Sequence, residues 1–325
     1  EKKIQVALEA EKTALDFDPR ISNSEGAESS SLLNRVVYSN SHGFSGKYRG
    51  SVFSLSVIPV GKLNGAMQRD FWYSTRRKFS RLDSPRAVGE KAAKRVLQRL
   101  GARKVRTQEV PVVFDPETAG SLLRNLSRAI SGYSLYKGAS FLLGKIGEQI
   151  ASPLVTVIDD GTMPAALGSK PFDGEGLPTR KKMIVEEGVL KSYLLDAYSG
   201  RKLGYPSTGN ASRSVGDAPG VAPTNFYLSP GGHSAEEIIG SVEQGFYVTE
   251  LIGFGVNLVT GDYSRGAAGM WIEKGRLSYP VEEVTIAGNL KDMLPWIEMV
   301  GSDLEMRDRI SSPTVKISRM TVGGD

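Results

Sequence analysis

Apolar positions recur at helical spacing at the start of the chain, where Ile4, Leu8 and Leu15 share one face, and this predicts a helix over residues 1–15. From Asp18 to Ser74 the texture changes to short β-type runs broken by glycine, which predict strands near 34–40, 45–58 and 65–74. Two segments there, Ser22-Asn23-Ser24-Glu25-Gly26 and Ser39-Asn40-Ser41-His42-Gly43, repeat a Ser-Asn-Ser-x-Gly pattern. Asn and Gly tolerate positive φ, so both copies are expected at hairpin tips of one antiparallel sheet. Residues 84–100 read as a helix, with Ser84 as cap, Pro85 at the first position and Gly101 just past the end. A short buried strand over 110–114 precedes a helix opened by Asp115-Pro116-Glu117 and carrying Leu122, Leu123, Leu126 and Ile130. From Leu154 onward strands and turns continue to the end, interrupted by helices near 235–244 and 289–300.

An internal echo supports antiparallel pairing. Residues 183–193 and 270–279 each run from an apolar strand through Glu187-Gly188 or Lys274-Gly275 into a return strand, as a two-residue hairpin requires. The pattern as a whole predicts an α+β fold of mostly antiparallel β-sheets with hairpins and a few packed helices. It divides into two domains, 1–108 as the remainder of an N-terminal α+β domain and 109–325 as a C-terminal β-rich domain.

Composition narrows the chemistry. The 325 residues carry a net charge of +5, and the basic clusters at 76–81 and 91–106 are interleaved with Asp83, Glu90 and apolar positions. That reads as the solvated face of an amphipathic helix, so no direct nucleic-acid partner is expected. No apolar run approaches the roughly 18 residues of a membrane helix, so no membrane partner is expected either. The absence of cysteine excludes a thiolate nucleophile and sulfur metal ligands, and fits a cytoplasmic protein. His42 and His233 are the only histidines, and both fall in expected turns, whereas a catalytic zinc needs about three protein ligands. No Gly-x-Ser-x-Gly elbow or phosphate-binding loop occurs. Asp159 and Asp160 are adjacent on an expected strand and face opposite sides, so they read as the approach to a turn at Gly161 and not as an acid–base pair.

Several uncommon blocks follow one another in order: Phe172-Asp173-Gly174-Glu175-Gly176, Tyr198-Ser199-Gly200-Arg201-Lys202-Leu203-Gly204, Ser207-Thr208-Gly209-Asn210, Val248-Thr249-Glu250-Leu251-Ile252-Gly253, Gly261-Asp262-Tyr263-Ser264-Arg265-Gly266, Tyr279-Pro280-Val281 and Thr285-Ile286-Ala287-Gly288-Asn289. Over nearly the whole chain they resemble the PmbA (TldE) branch of the TldD/PmbA family, whose older name is modulator of DNA gyrase and which is built around zinc-dependent peptidases. The resemblance implies that a leading segment of about a hundred residues is missing from this sequence. In the TldD branch a His-Glu-x-x-x-His helix and a cysteine near the C-terminus hold the zinc. Counting back from Tyr136-Lys137-Gly138-Ala139-Ser140, which is similar to the Arg-Arg-Gly-Thr-Ser after that helix, places the family's ligand positions on Leu123, Arg124 and Arg128. Leucine cannot ligate zinc, and arginines repel it and cannot act as general base.

The resemblance therefore implies a non-catalytic subunit with no catalytic residue, metal or cofactor of its own. Zinc would sit on a TldD-type catalytic partner in a heterodimer, the isolated chain would form a homodimer, and unfolded peptide would be the substrate. Arg201, Thr208, Asn210, Asp262, Tyr263 and Arg265 are the candidates for peptide-cavity or subunit contact, with the 261–269 loop foremost. Two alternatives stay open at this level: a self-sufficient metallopeptidase with an atypical site recruiting His42 or His233, and a regulatory binding protein of the gyrase-modulator type.

Overall fold

A computed structural model of the protein describes residues 1–324, which divide into two compact units. The first comprises Glu1–Val36, Lys47–Arg103 and Ala165–Leu167; the second comprises Val37–Gly46, Lys104–Pro164 and the chain from Gly168 onward.

The first unit contains α1 (Lys2–Leu15), most of β1 (Ile21–Ser39) and β2 (Ser45–Leu63), then β3 (Ala66–Arg69), β4 (Trp72–Arg76) and α2 (Pro85–Arg99). Ser84 caps α2, accepting from the Ala87 amide at 3.1 Å, and Pro85 occupies the first turn, where no amide donor is needed. β2 pairs with β1, β3 and β4, and its Leu55 and Val57 meet Val88, Ala92 and Val96 of α2 and Ala10 and Ala14 of α1 in a small core.

Two expectations are corrected in this region. Ser22–Gly26 is no hairpin tip. Gly26 has φ 116°, but its amide binds the Ser24 hydroxyl at 2.8 Å and the strand runs on, because the 19-residue β2 supplies a ladder along its length. The second copy does turn: Asn40 Oδ1 accepts from the amides of His42 and Phe44 at 3.0 and 3.2 Å, and Gly43 has φ 86°. The expected strand at 65–74 is split into β3 and β4. Asn64-Gly65 forms a two-residue turn, and Asp70 Oδ1 takes the Phe71 amide out of the ladder.

The second unit runs β5 (Gln108–Phe114), α3 (Pro116–Ala129), α4 (Gly132–Tyr136), β6 (Val157–Asp160), β7 (Lys181–Glu186), β8 (Val189–Leu190), α5 (Ala197–Leu203), β9 (Ala211–Ser212) and β10 (Gly220–Val221). It continues with β11 (Phe226–Leu228), α6 (Ala235–Gly240), β12 (Gln244–Ile252), β13 (Asp262–Glu273), β14 (Arg276–Asn289), α7 (Leu290–Met293), β15 (Ile297–Val300), β16 (Ile310–Ser311) and β17 (Val315–Gly323). Strands β14, β13, β12, β5 and β17 follow one another in a sheet, and pairing of Thr285–Ala287 with Thr321–Gly323 closes them into a ring. Only the β5–β12 pair in that ring is parallel. A second sheet has the order β16-β11-β6-β7-β8, and β9 and β10 form a separate pair.

Helix α3 packs against strands of both larger sheets. Its Leu122, Leu123 and Leu126 join Phe114, Phe226, Phe246 and Trp271 in the main core, where each fully buried large side chain contributes about 1.5–3 kcal/mol.

The α+β fold class holds, with the two parallel pairings β5–β12 and β11–β16 as the exceptions to antiparallel order. Both echoed hairpins form as expected: Glu187-Gly188 and Lys274-Gly275 carry positive φ throughout, as the tight primed turn demands. Three boundaries differ from expectation. The helix expected at 235–244 stops at Gly240, because Gln244 is already paired with Glu273. The helix expected at 289–300 is the single turn α7, and 297–300 is β15, held by β17. The 261–269 segment is not a loop; from Asp262 it is β13, paired on both edges. Among the described residues no helix is long and apolar enough to cross a membrane.

Candidate functional site

The site is built outward from α3. Asp115 caps the helix through the Thr118 amide at 2.8 Å, and Pro116 takes the first turn, so the sequence Asp-Pro-Glu fixes where the helix starts. With its leucines inward, the helix turns Arg124 and Arg128 to solvent, and Arg124 pairs with Asp308 at 2.9 Å. Leu123, by contrast, is buried in the core. The three positions that the resemblance assigns to metal ligation thus hold one core hydrophobe and two exposed cations, a set that does not fit zinc. His42 sits exposed in the β1–β2 turn, and His233 is exposed beside Gly301, to which its backbone bridges. Among the described residues no three His, Cys, Asp or Glu side chains are grouped to hold a metal.

Helix α4 follows directly and meets α5. A Cβ on Gly132 would lie 2.1 Å from Ser199 Oγ, so only glycine permits the close approach. That approach lines up Tyr133, Tyr136 and Tyr198 as a chain of edge-to-face rings, with centroids 5.7 and 5.6 Å apart. The rings wall a cleft of about 420 Å³ that Glu175, Asp196, Ser199, Pro219, Gly220 and Val221 complete.

The cleft carboxylates Glu175 and Asp196, and the buried Asp173 two residues before Glu175, are fixed by backbone amides. Asp173 Oδ1 accepts from the amides of Glu175 and Leu177, each at 2.9 Å, and its Oδ2 accepts from Ala211 at 3.0 Å. Glu175 Oε2 accepts from the Ala197 amide at 2.8 Å, and Asp196 caps α5 by accepting from the Ser199 amide at 2.7 Å. Burial pushes the Glu175 carboxyl above its ordinary pKa. The Ala197 amide opposes that shift, Asp196 and Asp173 add to it, and Arg213 opposes it.

Behind these carboxylates lies a buried polar network. Lys182 Nζ sits 2.9 Å from Asp159 Oδ2, donates to Asn210 Oδ1 at 2.9 Å and reaches the Thr208 carbonyl at 3.1 Å. Asp159, fully buried, also accepts from Asn210 Nδ2 at 2.8 Å and from the Thr224 amide and hydroxyl at 2.6 and 2.7 Å. Asp160 points elsewhere, accepting from the Thr162 amide at 2.8 Å in the turn.

The sequence-derived candidates fall into three places. Thr208 and Asn210 belong to the buried network, and Arg201 is exposed on α5. On β13, Asp262 accepts from Asn289 Nδ2 at 3.0 Å and does not pair with Arg265, whose guanidinium donates to the Leu251 carbonyl at 3.2 Å. Tyr263 and Arg265, two apart on the strand, share a face. No hydrogen bond of ordinary geometry reaches the buried Tyr263 hydroxyl; burial pushes its pKa up to about 12, opposed by the Arg265 charge and by a weak contact with the Ser121 hydroxyl. A buried hydroxyl with only a weak partner returns little of its desolvation cost, so Tyr263→Phe is expected to leave stability unchanged or raise it by up to about 1 kcal/mol. A urea midpoint clearly below wild type would contradict that geometry.

Tyr133, Tyr136, Glu175 and Asp196 were not among the residues singled out from sequence. The available signal was their position: Glu175 and Tyr198 lie inside the quoted family blocks, and Tyr133 and Tyr136 lie just beyond α3.

Comparison with known proteins places these features in context. Residues 1–100 match the PmbA/TldA metallopeptidase central domain, and residues 107–324 match the PmbA/TldA metallopeptidase C-terminal domain. A metalloprotease PmbA homolog of Haemophilus influenzae is 41% identical over 328 residues, covering 100% of this chain and 70% of that protein. A metalloprotease TldD homolog of the same bacterium is 30% identical over 349 residues, covering 100% of this chain and 72% of its own length. The crystal structure of TldE from Thermococcus kodakarensis superposes with a TM-score of 0.89 at 26% identity, over 98% of this chain and 74% of that one.

Proposed function

The chain belongs to the PmbA/TldD metallopeptidase family, and from that premise we propose that it is the non-catalytic, PmbA/TldE-type subunit of a TldD/TldE-like zinc-dependent peptidase in the cytoplasm. Its part is to help form the cavity that binds unfolded peptide, while a TldD-type partner holds the zinc. The observation that supports this reading is helix α3, where the residues that the resemblance assigns to metal ligation are the buried Leu123 and the exposed Arg124 and Arg128, Arg124 being engaged with Asp308. On the partner, zinc would supply an activated water and polarise the scissile carbonyl.

This chain's own residues would bind and orient. Gly220 and Val221 of β10 line the tyrosine-walled cleft, and β10 pairs only with β9 among the described residues. Its other edge can accept an extended peptide as an added strand, a mode that grips backbone without demanding a sequence. The buried network behind Asp173 would hold that wall in place.

The test is light scattering and metal analysis on the chain alone and mixed with a TldD-type subunit. A metal-free homodimer that converts to a one-to-one heterodimer on mixing is expected. Stoichiometric zinc retained by the chain alone after dialysis would overturn the assignment.

A further inference from the structure

We propose that the cleft between α4, α5 and β10 is a cation site, taking the ammonium or guanidinium group of a basic side chain on the bound peptide; this rests on the peptide-binding role proposed above. The cleft, at about 420 Å³, has room for one long side chain and not for a folded segment. Its wall is three tyrosine rings, whose electron-rich faces attract cations.

Its lining carries two carboxylates. Glu175 and Asp196 are held by the amides of Ala197 and Ser199, and among the described residues neither has a lysine or arginine at ion-pair distance; the buried Asp173 nearby does not line the cleft and has the half-buried Lys170 as an electrostatic partner. An arriving cation would supply the missing charge. Its charge would also offset burial and the neighbouring Asp196 and Asp173 charges, which hold Glu175 above its ordinary pKa.

Charges of the other sign sit at the rim. Lys137 Nζ lies 4.2 Å from the Tyr133 ring centre, Lys202 Nζ lies 5.7 Å from that of Tyr198, and Arg213 acts on Glu175 from a distance. Both lysines are exposed, so water and salt screen them, whereas Asp173 and Asp196 are buried. Lys137 also donates to the Tyr133 hydroxyl at 2.6 Å, so an arriving cation displaces these two solvated lysines from the rings while gaining the Glu175 and Asp196 carboxylates.

Two alanine-rich hexapeptides, identical except for a central lysine or norleucine, test the proposal by calorimetric titration of the full chain at low salt. The lysine peptide is expected to bind about tenfold tighter. The preference should shrink as pH falls and Glu175 takes up its proton. It should drop to about twofold or less in Glu175→Gln, which keeps the acceptor for the Ala197 amide, and weaken in Tyr198→Leu. Equal binding of the two peptides would overturn the cation site and leave the peptide-binding role intact, as would a full lysine preference in Glu175→Gln. Failure of both peptides to bind would overturn the role and the cation site together.

Discussion

Lys182→Met is expected to lower the unfolding free energy by about 3–5 kcal/mol, a large fraction of the 5–15 kcal/mol by which folded proteins are ordinarily stable. The reason is what it leaves behind. Asp159 is fully buried, and its carboxylate is balanced by the Lys182 ammonium 2.9 Å away; the amide and hydroxyl donors of Asn210 and Thr224 solvate it but do not neutralise it. Methionine fills the space and removes the charge, so an uncompensated anion remains where water cannot reach. A paired Lys182→Met, Asp159→Leu change should cost less than the sum of the two single changes, because neither charge is then stranded. An exposed pair such as Lys145–Glu148 behaves differently: with both side chains about half in solvent, its loss should cost less than about 1 kcal/mol. Urea unfolding of the four variants measures all of this. A Lys182→Met midpoint equal to wild type would contradict this account of the pair.

This pair illustrates which features the sequence makes legible. Where a signal is local it reads correctly. Ser84-Pro85 and Asp115-Pro116 mark helix starts because cap and first turn are adjacent, and Glu187-Gly188 and Lys274-Gly275 mark hairpins because both turn residues must take positive φ. Long-range partners are different. Nothing local joins Asp159 to Lys182, Asn210 and Thr224, and Asn210 looked like a cavity residue because a polar side chain in a glycine-containing motif gives no sign of being fully enclosed.

Ser22–Gly26 misled for a related reason. Turn-forming residues permit a turn without requiring one, and a 19-residue neighbouring strand kept the ladder going. At 261–269 the glycines were read as loop, whereas in β13 they admit neighbouring backbone: a Cβ on Gly269 would lie 1.9 Å from the Tyr247 carbonyl oxygen. The cleft was the least legible feature. Its tyrosines and carboxylates come from α4, α5 and the turn around Glu175, and Gly132 lets the first two approach.

The largest expected effect is functional. Peptide hydrolysis uncatalysed at neutral pH is so slow that enzymes supply accelerations of about 10⁶-fold or more, and under the proposed function that acceleration would come from a zinc-activated water on the partner. Arg124 and Arg128 cannot supply it: arginine stays protonated at any ordinary pH, so it offers zinc no lone pair and a substrate water no base. Under the proposed function this chain would hold an extended peptide beside the partner's metal, and positioning of that kind multiplies rate only where chemistry is available.

Turnover of an unfolded peptide by the chain alone, by a TldD-type subunit alone and by the two together is therefore the decisive measurement. The account predicts background rates for the chain alone and strong hydrolysis only in the mixture; zinc-dependent cleavage by the chain unaided would contradict it.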